Sequence, residues 1–119
     1  LALPDTILIV EDEFLIAIEL QEMLEARGWR VAGPVGNVAD ALKVLRQELP
    51  AIALLDVNLG NEVVTPVAEF LKARGVPFVV ASAYDRPEKY GGDVLAGAPN
   101  AGKPTNERRL LAALQRASS

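Results

Sequence analysis

Apolar residues in this chain fall into short runs separated by stretches with a helical repeat. Thr6–Val10 (TILIV) is apolar, rich in β-branched residues and followed by Glu11-Asp12-Glu13, so it reads as a first strand with acids at its carboxyl end. Over 14–27, Phe14, Leu15, Ile18, Leu20, Met23 and Leu24 recur at mostly helical spacing, and Gly28 suits the helix end. A short strand follows over 29–35, broken by Gly33-Pro34. Asn37, with Asp40 three residues on, predicts the cap of a second helix. Val38, Ala41, Leu42, Leu45 and Leu49 supply its inner face, and Pro50 stops it. The third strand is Ile52–Asp56, four apolar residues running up to one carboxylate. Thr65-Pro66 reads as cap and first residue of a third helix, with Val67, Phe70 and Leu71 inward and Gly75 at its end.

Phe78–Ala81 (FVVA) is the fourth strand, ending in Ser82. The pattern then weakens. Pro87, Gly91 and Gly92 disfavour a regular helix over 85–97, leaving one or two turns near 92–96. Residues 98–102 are a fifth strand by position, although they are weak strand formers. Thr105 is the expected cap of a last helix that buries Leu110, Leu111 and Leu114. Strands alternating with helices imply βαβ units, hence a doubly wound, five-stranded parallel α/β sheet in one domain over 5–117. There is no internal repeat.

Composition removes several classes of function. The 119 residues suit one domain; 50% are hydrophobic and 24% charged, which is ordinary for a globular chain that needs no covalent staple. A net charge of −4 argues against a nucleic-acid surface, and Arg108-Arg109 is too small a patch to make one. With no cysteine and no histidine there is neither a disulfide framework, a thiolate or imidazole metal site, nor an imidazole base. No run is long enough to span a membrane and no signal peptide is visible, so a soluble cytoplasmic protein is expected. The chain starts and stops without a linker, which fits either a small whole protein or an excised domain.

Chemistry collects at one edge. The strands end in Glu11 and Asp12, Asp56, Ser82 and Lys103, and all carboxyl ends of a parallel sheet lie on the same side, where such sheets bind ligands. Two carboxylates ~4 Å apart repel by about 1 to 4 kcal/mol between water and an effective dielectric of 20. Three of them need a cation beyond Lys103. An oxygen-only donor set favours Mg²⁺, which takes one or two carboxylates and keeps waters for a phosphate oxygen. Asp56 is then available as a nucleophile toward phosphorus, giving an aspartyl phosphate. Lys103 would neutralise the equatorial oxygens and Ser82 would donate a hydrogen bond to one. Taken singly, Glu11 is surface, Asp56 a turn residue, Ser82 a strand cap and Lys103 a solvated charge; their coincidence at four strand ends is what speaks for a site.

ILIVEDE, LLDVNLG, VVASA and GKP resemble the receiver domain of two-component response regulators, over nearly the whole chain. The resemblance implies a flavodoxin-like (CheY-like) strand order 2-1-3-4-5. It implies Asp56 as phospho-acceptor, Asp12 as direct Mg²⁺ ligand, Glu11 as a ligand through water, and the Asn58 backbone carbonyl as a further ligand. Ser82 matches the switch hydroxyl, Lys103 the lysine of the family, and the bond before Pro104 is expected cis. The implied partners are a sensor histidine kinase or histidine phosphotransfer protein, and a downstream protein target or a missing effector domain. Two departures stand out. Asn100 occupies the place of an aromatic three residues before the lysine, and the fourth helix is broken by Gly and Pro. VASAYD resembles an atypical receiver subgroup (the "FAT GUY" type), with Tyr84 either gating water at the site or packing.

Other readings compete. The stretch 97–103 nearly spells a phosphate-binding loop, but Pro104 stands where Ser or Thr should hold Mg²⁺. A haloacid-dehalogenase-like, Mg²⁺-dependent phosphatase would need an acid two residues past its nucleophile, where Asn58 cannot transfer protons. A phosphorylation-independent interaction module is the third. The leading expectation is a receiver that is not a turnover enzyme and that removes its own phosphoryl group slowly.

Overall fold

In the computed structural model of the protein, residues 5–84 and 86–118 are described. The runs Thr6–Val10 (β1) and Ile52–Asp56 (β3) pair in parallel at the centre of a sheet, Ile7 beside Ile52 through Val10 beside Leu55. Residues this uniformly apolar can be buried on both faces only if helices cover both. Arg30–Val35 (β2) lies outside β1, and Phe78–Ala81 (β6) outside β3, so the order is β2-β1-β3-β6, all parallel. A two-residue hairpin, Asn58–Leu59 (β4) and Glu62–Val63 (β5), follows β3 and was not foreseen from the sequence.

Alternation along each strand sorts the core into two halves. Ile7, Ile9, Ile52, Leu54, Val79 and Ala81 face one way, toward Leu20 and Leu24 of α1 (Phe14–Glu25) and Leu110, Ala113 and Leu114 of α5 (Glu107–Ala117). Leu8, Val10, Ala53, Leu55, Phe78 and Val80 face α2 (Val38–Gln47) and α3 (Thr65–Ala73), with Leu95 added. The doubly wound architecture is therefore as expected.

The expected fifth strand shrinks to one bridge, Val80 to Asn100, held by Val80 N–H to the Pro99 carbonyl at 3.0 Å and Ala101 N–H to the Val80 carbonyl at 2.8 Å. The next rung would need an N–H from residue 99, and proline has none. Gly97 and Gly102, both at φ +81, turn the chain away on either side. The sheet thus has four strands where five were predicted, with the fifth segment still in the expected place beside β6.

Other expectations shift locally. β2 runs through Gly33-Pro34 as one strand with a bulge between Leu8 and Val10, tolerated because it is the sheet edge. Phe14 and Leu15 are exposed (72% and 75%), because the buried face of α1 is centred on Ala17, Leu20 and Leu24 and Leu15 lies opposite it. The α3 cap is Val64, and Thr65 is already helical, its hydroxyl donating instead to the Gly91 carbonyl. α5 is capped by Asn106, whose Oδ1 accepts from Arg109 N–H at 2.8 Å, while Thr105 bonds to the Gly102 carbonyl. Gly75 closes α3 as anticipated: its N–H and that of Val76 bond back to the Lys72 and Leu71 carbonyls. The fourth helix is one turn, α4 (Glu88–Gly91), plus a 3₁₀ turn at Asp93–Leu95. Among the described residues no helix is long and apolar enough to cross a membrane.

The Asn37 cap is as read from the sequence, Oδ1 accepting from Asp40 N–H at 2.8 Å. Asn37→Ala is expected to cost about 1 kcal/mol, measured by urea unfolding with an unchanged m-value.

Candidate functional site

Each strand delivers its polar residue where pairing ends. Glu11 follows β1 directly, its N–H still bonded to the Val35 carbonyl at 2.9 Å. Asp56 is the last residue of β3 and pairs with Ala81, so Ser82 emerges beside it. Lys103 arrives from the loop after the Asn100 bridge, and its bond to Pro104 is cis, as the resemblance implied. Carboxylate oxygens of Glu11, Asp12 and Asp56 lie within 4.8 Å of one another. Lys103 Nζ sits 2.9 Å from Asp56 Oδ2 and 3.7 Å from Glu11 Oε1.

Burial sets the electrostatics. Glu11 and Asp56 are 4% and 3% exposed, whereas Asp12 faces solvent. Burial is the main reason that the Glu11 carboxyl is pushed up to about 8; a hydrogen bond to Asp56 and its charge add to this, while the Glu13 N–H, 3.1 Å from Oε2, and the Lys103 charge oppose it. Partial burial draws the Lys103 ammonium down, but the hydrogen bond and charge of Asp56, with Glu11, more than offset this and leave it raised. Lys103 is therefore a fixed cation at neutral pH. Glu11 holds a proton that a divalent cation at the same oxygens would displace.

The residues fit such a cation. Glu11, Asp12 and Asp56 offer a set of carboxylate oxygens, and the hairpin turn comes close: a side chain at Gly60 (φ +65) would begin 3.7 Å from Asp12 Oδ2. Asn58 opens this hairpin two residues after Asp56. Glu62, at its far side, accepts from Val38 N–H at the start of α2, which braces the hairpin over the site.

Ser82 is buried, and its hydroxyl oxygen accepts from Tyr84 N–H at 3.0 Å, which leaves its proton to be donated elsewhere. Tyr84 is exposed and stacks on Tyr90 of α4, ring centroids 4.0 Å apart. Asn100, noted in the sequence only as a missing aromatic, is the residue whose part was missed. Its side chain bonds to Ser82, Tyr84 and Gly102. The signal was an Asn two residues before a glycine, which favours a turn closed by the Asn side chain.

The site is thus an aspartate between a lysine and two further acids, at the carboxyl edge of a doubly wound parallel sheet. No family model matches the chain. SdrG from Sphingomonas melonis, as a solution structure, is 37% identical with a TM-score of 0.83, each chain covered fully. The regulator PhyR of Methylorubrum extorquens is 34% identical over 87 residues, covering 71% of this chain and 32% of its own. The transcriptional regulatory protein PdtaR of Mycobacterium tuberculosis is 30% identical over 86 residues, covering 71% of this chain and 42% of its own. The chain thus spans about a third to two-fifths of the length of the curated relatives it matches. It belongs to the receiver-domain family of two-component response regulators, and its neighbours include the atypical branch represented by PhyR.

Proposed function

We propose that residues 5–117 are one receiver unit that takes a phosphoryl group onto Asp56 from a phosphohistidine on a sensor kinase or histidine phosphotransfer protein in the cytoplasm. The observation that carries this reading is the 2.9 Å contact of Lys103 Nζ with Asp56 Oδ2 inside a cluster of three carboxylates. None of these 119 residues is a histidine, so the phosphohistidine donor lies outside them.

One Asp56 oxygen attacks phosphorus, a P–O bond forms, the P–N bond breaks, and the electron pair leaves on the imidazole nitrogen. Glu11, Asp12, Asp56 and the Asn58 carbonyl would hold Mg²⁺, which when bound supplies charge neutralisation for the phosphoryl oxygens. Lys103 pairs with the charge that Asp56 passes to the phosphoryl group. Ser82 turns its hydroxyl proton to a phosphoryl oxygen, giving up the geometry it has toward Tyr84 N–H. This exchange of contacts biases two states of the Ser82–Tyr84 turn, and with it the surface offered to a downstream protein or effector domain. Water then cleaves the acyl phosphate slowly, since Asn58 cannot serve as a base.

Incubating the chain with acetyl phosphate and Mg²⁺, followed by intact mass and peptide mapping, tests this. One phosphoryl group per chain, Mg²⁺-dependent and mapped to Asp56, is expected. No modification, or continuous turnover of phosphomonoesters, would sink the proposal.

A further inference from the structure

Asn100 uses both ends of its amide. Oδ1 accepts from Ser82 N–H at 3.1 Å and from Gly102 N–H at 2.8 Å, and Nδ2 donates to the Tyr84 carbonyl at 3.0 Å. The orientation is unambiguous, because turning the amide over would set its NH₂ against two N–H donors. Ser82 and Tyr84 bound the turn that also contains the Tyr84 N–H to Ser82 hydroxyl bond. Gly102 immediately precedes Lys103. One half-buried side chain therefore fastens two backbone points of the loop bearing Ser82 to the loop bearing Lys103. Among the described residues, a single backbone bridge, at Val80, otherwise joins β6 to the segment before Lys103. An aromatic ring here could pack or swing, but has no acceptor with which to make these ties.

We propose that Asn100 is a positioning residue for phosphoryl acceptance, holding Ser82 and Lys103 in fixed register beside Asp56. The proposal rests on Asp56 being the acceptor. The amide substitutes for the ladder that Pro99 interrupts, so the site is kept by side-chain hydrogen bonds in place of a fifth strand. The three acids hang from β1 and β3 and do not depend on it, so Asn100 governs the rate of transfer and not the binding of the cation.

Two variants separate the local turn from the tie between loops. Asn100→Ser keeps an oxygen able to close the turn onto Gly102 N–H but is too short to reach Ser82 and Tyr84. Asn100→Asp keeps both bonds of Oδ1 and sets an oxygen in place of the donor to the Tyr84 carbonyl, so the tie to Tyr84 is broken while the tie to Ser82 stays. Phosphorylation of the full chain by acetyl phosphate is followed by mass at saturating Mg²⁺, with Mg²⁺ affinity measured separately by calorimetry. Asn100→Ser is expected to be about tenfold slower, short of the roughly hundredfold that a displacement of about 1 Å can cost. Asn100→Asp, which keeps the tie to Ser82 alone, should fall between Asn100→Ser and the unaltered chain. Mg²⁺ affinity should be unchanged in both. Asn100→Ser reacting at the original rate, or a parallel loss of Mg²⁺ affinity, would overturn the positioning role. An unaltered chain that takes no phosphoryl group would instead overturn the assignment of Asp56.

Discussion

Lys103→Met is expected to slow acceptance of a phosphoryl group from acetyl phosphate by roughly 10²- to 10³-fold at saturating Mg²⁺. The Nζ stands 2.9 Å from Asp56 Oδ2, so its charge is in place before reaction and needs no rearrangement. A methionine of similar length keeps the packing of the stem but removes the charge. Glu11 and Asp56 then face each other without a counter-ion. Breaking a buried pair by removing one partner costs about 3 to 5 kcal/mol. Here the lysine is nearly a third exposed and Glu11 can hold its proton, so a loss of about 1 to 2 kcal/mol is expected. Lys103→Arg should recover more stability than rate, because a planar fork does not place its charge where an ammonium does. A mass-resolved time course and urea unfolding measure the two effects. An unchanged rate in Lys103→Met would remove the lysine from the transfer step.

The second large effect concerns pH in the metal-free protein. The Glu11 carboxyl rises from 4.5 to about 8 on folding, so between these values the folded chain binds the proton more tightly than the unfolded chain. The stabilisation is fully present below about pH 4.5 and is lost as pH climbs through about 8. Without Mg²⁺, stability attributable to Glu11 should therefore fall across this window, by on the order of a few kcal/mol. Glu11→Gln cannot ionise, so its unfolding free energy should lack that fall and exceed that of the unaltered chain near pH 8. Added Mg²⁺ should reverse the trend in the unaltered chain only, since the cation competes with the Glu11 proton and binds more tightly as pH rises. Urea midpoints across pH, with and without Mg²⁺, read all three. Parallel curves for the two proteins in the absence of metal would show that Glu11 is not the group concerned.

Much of this molecule is legible because apolar runs are local. TILIV and IALLD read as buried strands, being short, rich in β-branched or apolar residues and bounded by polar ones, and the acids that follow them must share one edge once the sheet is parallel. Glu11, Asp12, Asp56, Ser82 and Lys103 all follow such runs or their parallel neighbours, so the sequence alone assigns them to that edge. The helix caps were less secure. Thr65 and Thr105 carry the right hydroxyls, yet the cap positions fell to Val64 and Asn106, because each threonine found a carbonyl in a neighbouring turn. Phe14 and Leu15 fit a helical repeat, but which arc of α1 is buried depends on how the helix lies against the sheet.

By itself the sequence determined the parallel α/β order, the sheet edge at which chemistry gathers, and the absence of any histidine or thiol that could make another kind of site. Periodicity and residue type suffice for these, since they depend on neighbours along the chain. The tertiary structure decided what the weak segment after Tyr84 does. Proline at 99 stops the ladder, two glycines turn the chain, and Asn100 closes the gap with hydrogen bonds to residues as much as 18 positions away. Such pairings depend on how loops meet in space, and no pattern along the chain records them.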